Sequence, residues 1–248
     1  MAAHHYMHNL AHNLAHITQQ IQTAAAQYQK QHNLSKHTIK LIAVSKYQNL
    51  DSMRALYLAG QYAFGENRVQ DLRDKQRGFC SALSDLAPTA PANPPIEWHF
   101  IGTLQRNKIN SLLALSPTLI HSIHSLELAL SLDEKCRAKD RIQPVLLQVN
   151  AANEPSKHGF SLESTCDAFA HIRAHCPHLR LQGLMCIGAH THDTQAIEES
   201  FARTKALYDT LQAHFAGVET LSMGMSGDFA YAIKQGANMV RIGSALFV

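Results

Sequence analysis

Short apolar runs alternate with longer amphipathic stretches along most of the chain. The eight runs cover residues 41–45, 62–64, 98–101, 119–121, 145–149, 184–187, 221–223 and 239–242. Each run is short enough for a buried strand, and the segments between them carry apolar residues three or four positions apart, as helices do. Because parallel neighbours in a sheet are joined by crossover helices, the alternation predicts a parallel sheet.

Eight strand–helix units within 248 residues favour a closed (β/α)8 barrel, the TIM-barrel architecture of the α/β class. A doubly wound open sheet is the alternative. The proline-rich stretch 87–95 comes before the third strand, and too few strands precede it to close a core. We therefore interpret this stretch as a loop and predict a single domain that spans residues 1–248.

A further helix is predicted before the first strand, within residues 1–36. Its apolar positions recur at helical spacing and are Leu10, Leu14, Ile17, Ile21, Ala25 and Tyr28. The sequence ends at Val248, directly after the eighth strand, and no eighth helix is predicted there. We expect the N-terminal helix to pack on that face of the barrel instead.

Four histidines of the N-terminal helix raise the question of a metal site. His4, His8, His12 and His16 are spaced by four residues and would share one helical face. That face has no cysteine or carboxylate partners, and the apolar stripe already explains the helix. We expect a solvated face and no bound metal.

Charge and composition exclude several classes of partner. The net charge is only +3 and the basic residues are scattered, which excludes a nucleic-acid footprint or a polybasic membrane surface. No apolar run reaches the roughly 18 residues that a membrane-spanning helix needs. The five cysteines form no close pair, and the N-terminus lacks a secretory pattern. These observations predict a cytoplasmic protein.

Candidate chemistry collects where the predicted strands end, which is where barrel enzymes place their active sites. Lys46 follows the first strand. Ser226 could cap a helix that starts near Gly227, and the free N–H groups there would face an anion. After the eighth strand, Gly243 allows close backbone approach and Ser244 adds a hydroxyl group. Each feature alone has an ordinary structural explanation, but together they predict a phosphate site.

A lysine opposite a phosphate site suggests a phosphorylated carbonyl compound held as a Schiff base on Lys46. The amine attacks only when neutral, which burial or a nearby cation such as Arg241 would favour. Pyridoxal 5'-phosphate (PLP) fits this pattern, and so does a sugar phosphate on a class I aldolase. Arg241 favours PLP, because PLP sites often place an arginine or aspartate against the ring nitrogen. An arginine there would keep that nitrogen unprotonated.

Six sequence stretches together resemble the motifs of the pyridoxal phosphate homeostasis protein family. They are AVSK, FGENRVQ, WHFIGTLQRNK, QVNAANEPSKHGF, GLMCIG and LSMGMSGDFAYAIKQGANMVRIGSALF, within residues 41–247. The chain departs from the family pattern at Val248, where the family usually continues with glycine. Residues 91–95 also look like an insertion. Neither departure touches the predicted site.

The resemblance implies a fold-type III barrel, similar to the N-terminal domain of alanine racemase, that binds PLP covalently through Lys46. It implies that Ser226, Gly227, Gly243 and Ser244 hold the phosphate and that Arg241 lies near the pyridine nitrogen. It also implies Asn67 and Met223 as pocket wall. Proteins of the family are thought to buffer, carry or deliver PLP, so apo forms of PLP enzymes are expected partners, and no catalytic residue is assigned.

Two enzymatic functions remain as alternatives to PLP homeostasis. A fold-type III amino-acid racemase, even a weak one, needs a second base opposite Lys46, and Tyr47 or a residue of another chain are the only candidates. An aldolase needs a proton shuttle, for which Glu66 is the evident candidate, although helix capping or loop structure explains that residue more simply. The absence of a swapped catalytic domain is compatible with the monomer that we expect.

Overall fold

The computed structural model describes residues 2–84, 94–152, 154, 157–191 and 193–247, with side chains from residue 8 onward and not for 80–84. Eight parallel strands close into a barrel in which each strand pairs with the next and β8 pairs with β1. The predicted (β/α)8 barrel is therefore confirmed, and the open-sheet alternative is wrong. Most of the proline-rich stretch, residues 85–93, lies outside the described residues.

All eight predicted strands are present. They are β1 Lys40–Val44, β2 Ala63–Glu66, β3 Glu97–Phe100, β4 Leu119–Ile123, β5 Gln143–Val149, β6 Leu179–Cys186, β7 Thr220–Ser222 and β8 Met239–Ile242. The helices are α1 Ala2–Gln31, α2 Leu50–Leu58, α3 Val69–Ser84, α4 Ile109–Leu113, α5 Leu126–Arg137, α6 Thr165–His175, α7 Thr194–His214, α8 Phe229–Lys234 and α9 Ser244–Phe247. A 3-10 turn, Arg106–Lys108, precedes α4.

The N-terminal helix packs on the barrel as predicted. All six residues of its apolar stripe are buried, and α1 lies against α2, α8 and α9. One expectation was wrong, because a short helix, α9, does follow β8. His8, His12 and His16 are exposed, and the side chain of His4 lies outside the described residues. Within the described ranges, no three metal-ligating side chains come together.

The barrel interior is apolar in one layer and polar in the next. Six side chains from six strands form the apolar layer: Ile42, Ala63, Leu119, Leu146, Met185 and Met239. Since side chains two residues apart point to the same face of a strand, Arg241 on β8 lies one layer further toward the C-terminal ends than Met239. In the part of the chain that the structure describes, no helix has the length and apolarity needed to cross a membrane.

Candidate functional site

Lys46 lies just beyond the C-terminal end of β1, where the strand pattern predicts it. The N–H of Ser45 still donates to the carbonyl of Gly65 on β2, and the chain then turns at Lys46 and Tyr47. Tyr47 has a φ of 67°, so the turn is left-handed, and its ring lies 5.9 Å from the Lys46 amine. The Lys46 side chain is exposed, and within the described residues its amine makes no hydrogen bond or ion pair. The amine is therefore available at the mouth of the barrel.

A buried ion pair holds the residue that precedes Lys46. Glu66, the last residue of β2, is fully buried and accepts hydrogen bonds from Lys75 of α3 and from the Ser45 hydroxyl, each at 2.6 Å. Lys75 also donates to the main-chain carbonyl of Ser45. The expected capping or loop role of Glu66 is wrong, because its carboxylate neutralises Lys75 and fixes Ser45.

Ser226 and the start of α9 form a small group of hydrogen-bonding atoms beside β8. The Ser226 hydroxyl accepts from the backbone N–H groups of Gly243 and Ala245, at 3.2 and 3.3 Å. The expectation that Ser226 caps a helix near Gly227 is wrong: α8 begins at Phe229, because residues 226–228 form a turn. The predicted residues Ser226 and Gly243 nevertheless come together.

The strand register brings this group next to Lys46. Ala43 pairs with Ile242, so the ends of β1 and β8 are neighbours. A Cβ built on Gly243 would lie 3.4 Å from Val44, two residues before Lys46. The predicted amine and the predicted phosphate-binding atoms therefore occupy adjacent strand ends at one face of the barrel.

Two cavities open beside these residues. One, of about 420 Å³, is bordered by Gly227, Met225, Gly188 and Lys157. The other, of about 630 Å³, lies between α1 and α8 and is bordered by Ser226. A Cβ added to Gly227 would meet open space, so this glycine leaves its main chain accessible.

Arg241 is a buried cation on the inward face of β8. Its guanidinium donates to the carbonyl and hydroxyl oxygens of Ser222, at 2.9 and 2.7 Å, and to the carbonyl of Cys186 at 2.9 Å. Burial lowers the pKa of Arg241 below its ordinary value, while electrostatic interactions with Cys186 and Asp228 oppose that shift. All three acceptors are neutral, so dipoles rather than a carboxylate hold this charge in place.

The two predicted wall residues lie apart from this group. Asn67 borders a separate cavity of about 410 Å³ with Arg68 and Lys108, and its buried Oδ1 has no hydrogen-bond partner among the described residues. Gly102 fixes its position, since a Cβ there would lie 2.0 Å from the Asn67 carbonyl oxygen. Met223 is fully buried in the main hydrophobic core. The wall role of both residues stays a prediction.

The grouped atoms match the chemistry of PLP. Backbone N–H groups and a hydroxyl suit a phosphate, a free amine suits an aldehyde, and a buried guanidinium can only donate to a ring nitrogen. The sequence did not predict the role of the Ala245 N–H, because a backbone donor leaves no signal in the side-chain pattern. It also missed His99, His121 and Ser222, which the strand alternation places inside the barrel.

Comparisons with known proteins give matches over most of the chain. The family model for the N-terminal domain of alanine racemase matches residues 7–248. A pyridoxal phosphate homeostasis protein of Helicobacter pylori is 46% identical over 211 residues, 85% of this chain and 88% of the relative. One of Haemophilus influenzae is 38% identical and covers 96% and 95%. The structure of PipY of Synechococcus elongatus with PLP bound superposes with a TM-score of 0.77 at 29% identity, covering 96% and 100% of the two chains.

Proposed function

Because the chain belongs to the family of pyridoxal phosphate homeostasis proteins, we propose that it binds PLP and takes part in its homeostasis within the cell. The observation that carries the proposal is the free amine of Lys46 at the strand end next to the donors around Ser226 and Gly243. Buffering, carriage and delivery of PLP all require a site that holds the cofactor without consuming it.

The proposed attachment is a Schiff base between Lys46 and PLP. Bound PLP supplies an aldehyde carbon that can accept an amine. The Lys46 nitrogen forms the new carbon–nitrogen bond, and the aldehyde oxygen leaves as water. The exposed position of Lys46 lets the cofactor enter from solvent, and the same exposure lets water reverse the reaction. Reversibility is what a carrier needs.

The phosphate is proposed to lie against Ser226, Gly227, Gly243 and Ser244. The Gly243 and Ala245 N–H groups now donate to the Ser226 hydroxyl, and a phosphate oxygen could replace or share that acceptor. Arg241 is proposed to donate to the pyridine nitrogen, with Asn67 and Met223 as more distant wall. A donor that stays protonated keeps the ring nitrogen unprotonated, which weakens the ring as an electron sink.

The setting proposed for this function is the cytoplasm, with the protein acting as a monomer and passing PLP to apo-enzymes. Cys136, Cys166, Cys176 and Cys186 are free thiols in the structure. Burial raises the pKa of Cys136, Cys176 and Cys186 to about 11, so these thiols resist oxidation and suit a reducing compartment.

Adding PLP to the purified protein is expected to produce a new visible absorption band. Borohydride, which reduces a carbon–nitrogen double bond, should then fix about one PLP per chain on the peptide that contains Lys46. Difference spectra and peptide mass spectrometry measure the two results. A protein that gains no band and no label at saturating PLP would contradict PLP binding.

The racemase alternative is separated from homeostasis by an activity measurement. The PLP-loaded protein is expected to leave the optical rotation of common amino acids unchanged, and to pass PLP to an apo-enzyme faster than PLP is released in buffer alone. Efficient racemisation of one amino acid, lost in Lys46→Ala, would overturn the homeostasis proposal in favour of the racemase.

Ser244→Asp is expected to weaken PLP binding at least about tenfold, because a carboxylate would repel the dianionic phosphate. Ser244 is exposed, so the fold should tolerate the change. Pyridoxal, which lacks the phosphate, should bind both proteins alike, and Ser244→Asn, of equal size but uncharged, should retain PLP. Equilibrium titrations measure all five affinities, two for the wild type, two for Ser244→Asp and one for Ser244→Asn. Equal weakening of PLP and pyridoxal would contradict the phosphate assignment.

A further inference from the structure

A network of hydrogen-bonded polar side chains crosses the barrel interior beneath Arg241. His99 Nδ1 lies 2.9 Å from His121 Nε2, and His121 Nδ1 lies 3.2 Å from the Ser222 hydroxyl. That hydroxyl accepts from Arg241 at 2.7 Å. All four residues are buried, at 0 to 5% exposure. Because β4 and β7 are not neighbours in the sheet, the contact between His121 and Ser222 spans the interior.

The far end of this network is an ion pair at the opposite face of the barrel. Glu97 begins β3 and Lys40 begins β1, and the lysine amine donates to the Glu97 carboxylate. His99 Nε2 lies 3.6 Å from the same carboxylate and has no hydrogen-bond partner within the described residues. We call Glu97, His99, His121, Ser222 and Arg241 the interior polar network, in which Glu97 is partly exposed and the other four are buried.

The two ends dictate the direction of every hydrogen bond between them. An arginine only donates, so the Ser222 hydroxyl accepts from Arg241. Its hydrogen points to His121 Nδ1, because a hydroxyl that accepted from both residues would leave that hydrogen without an acceptor among the described residues. His121 then carries its proton on Nε2 and donates to His99 Nδ1. His99 in turn carries its proton on Nε2, which faces the Glu97 carboxylate. The reverse order would point a lone pair of His99 at an anion.

Burial supports this neutral arrangement. It lowers the pKa of His99 and lowers that of His121 well below the ordinary value, and the positive charge of Arg241 adds to the effect at His121. Neither ring therefore holds a second proton near neutral pH. A neutral imidazole has one donor and one acceptor, so a bond reversed at one ring reverses the bond at the other.

We propose that Glu97, His99 and His121 are positioning residues for Arg241, acting through Ser222. This network of hydrogen bonds turns the Ser222 lone pairs toward the guanidinium and holds the buried cation at one orientation, although no carboxylate of the described residues forms an ion pair with it. In the proposed function, which this step rests on, that orientation aims the guanidinium at the ring nitrogen of PLP. The Glu97 carboxylate at one face of the barrel thus sets the orientation of the Arg241 guanidinium toward the other face.

The donor–acceptor direction of the hydrogen bonds in the interior polar network is testable without PLP. In protein labelled with ¹⁵N in its imidazole rings, two-bond ¹⁵N–¹H spectra should show both His99 and His121 protonated on Nε2, with assignments from His99→Gln and His121→Gln. His175 and His214 are internal controls, because their Nδ1 atoms contact helix carbonyls at 2.8 and 2.7 Å and must donate. A His121 ring protonated on Nδ1 would overturn the proposal.

The positioning role is tested by a remote substitution. Glu97→Ala is expected to turn the single His99 and His121 tautomers into mixtures and to shift the pH dependence of the visible band of the PLP-loaded protein. Glu134→Ala, which removes an exposed carboxylate paired with Lys135, should change neither. Altered tautomers with an unchanged band would overturn the positioning role. A wild-type protein that binds no PLP would instead contradict the proposed function, while the tautomer result would still stand.

Discussion

Replacing Lys46 by alanine will abolish borohydride-stable attachment of PLP while the barrel stays folded. The side chain is exposed and makes no hydrogen bond or ion pair among the described residues, so its removal leaves no buried group unpaired. The label should fall from about one PLP per chain to background, because no amine remains at that position to form the bond. Peptide mass spectrometry after reduction and circular dichroism measure attachment and folding.

Lys157 provides the sharpest control for this experiment. It borders the cavity beside Gly227, but its amine is held by the Glu154 carboxylate and the Gly188 carbonyl, each at 2.8 Å. An amine that donates to two acceptors is held away from a carbonyl carbon and is poorly placed to attack it. Lys135→Ala, at a partly exposed position of α5, should label like the wild type. A wild-type label on Lys157 would refute the assignment of Lys46.

Replacing Lys75 by methionine will destabilise the protein by about 3–5 kcal/mol, the usual result of leaving one member of a buried ion pair behind. The Glu66 carboxylate is fully buried and, among the described residues, would keep only the Ser45 hydroxyl as a partner. Methionine retains the packing of the lysine stem, so the loss measures charge rather than volume. The free energy of unfolding in urea gives the value.

Two further proteins complete this test. Glu66→Gln combined with Lys75→Met removes both charges and should recover most of the lost stability. The pair between Glu199 and Arg203, with side chains 51% and 56% exposed, is the matched surface control, and Arg203→Met should cost about 1 kcal/mol or less. A Lys75→Met protein within 1 kcal/mol of the wild type would show that the pair does not stabilise the fold.

The barrel could be predicted because its strands are buried on both faces and therefore appear as continuous apolar runs. One strand, β6, is longer than its apolar run predicts. β6 begins at Leu179, five residues before the predicted run at 184, because its first half alternates buried and half-exposed or exposed positions. Leu181 is buried while Arg180 is exposed, and a search for unbroken apolar runs does not detect such a segment. The extra helix α9 was missed because four residues carry too little periodicity.

The site was predictable to the extent that it follows strand ends. Lys46, Ser226 and Gly243 lie within about four residues of the ends of their strands, and barrel geometry gathers such positions at one face. The contacts of Ser226 with Ala245 and of Glu66 with Lys75 were not predictable, since these partners come from α9 and α3 through tertiary packing. His99 and His121 stand inside apolar runs, and only the closed barrel reveals that β4 and β7 face one another.

The position of α1 has a consequence for how the chain is made. Its apolar stripe is covered by α8 and α9, whose residues leave the ribosome about 200 residues later, or about 10–40 s at ordinary rates of synthesis. β1 likewise pairs with β8 only after β8 has been synthesised, so the barrel closes last. The nascent protein therefore carries an amphipathic helix that lacks two of its three packing partners through most of its translation. Contacts between distant parts of the sequence make the final closure slow. A chaperone that binds exposed apolar helices would meet this protein at its N-terminus first.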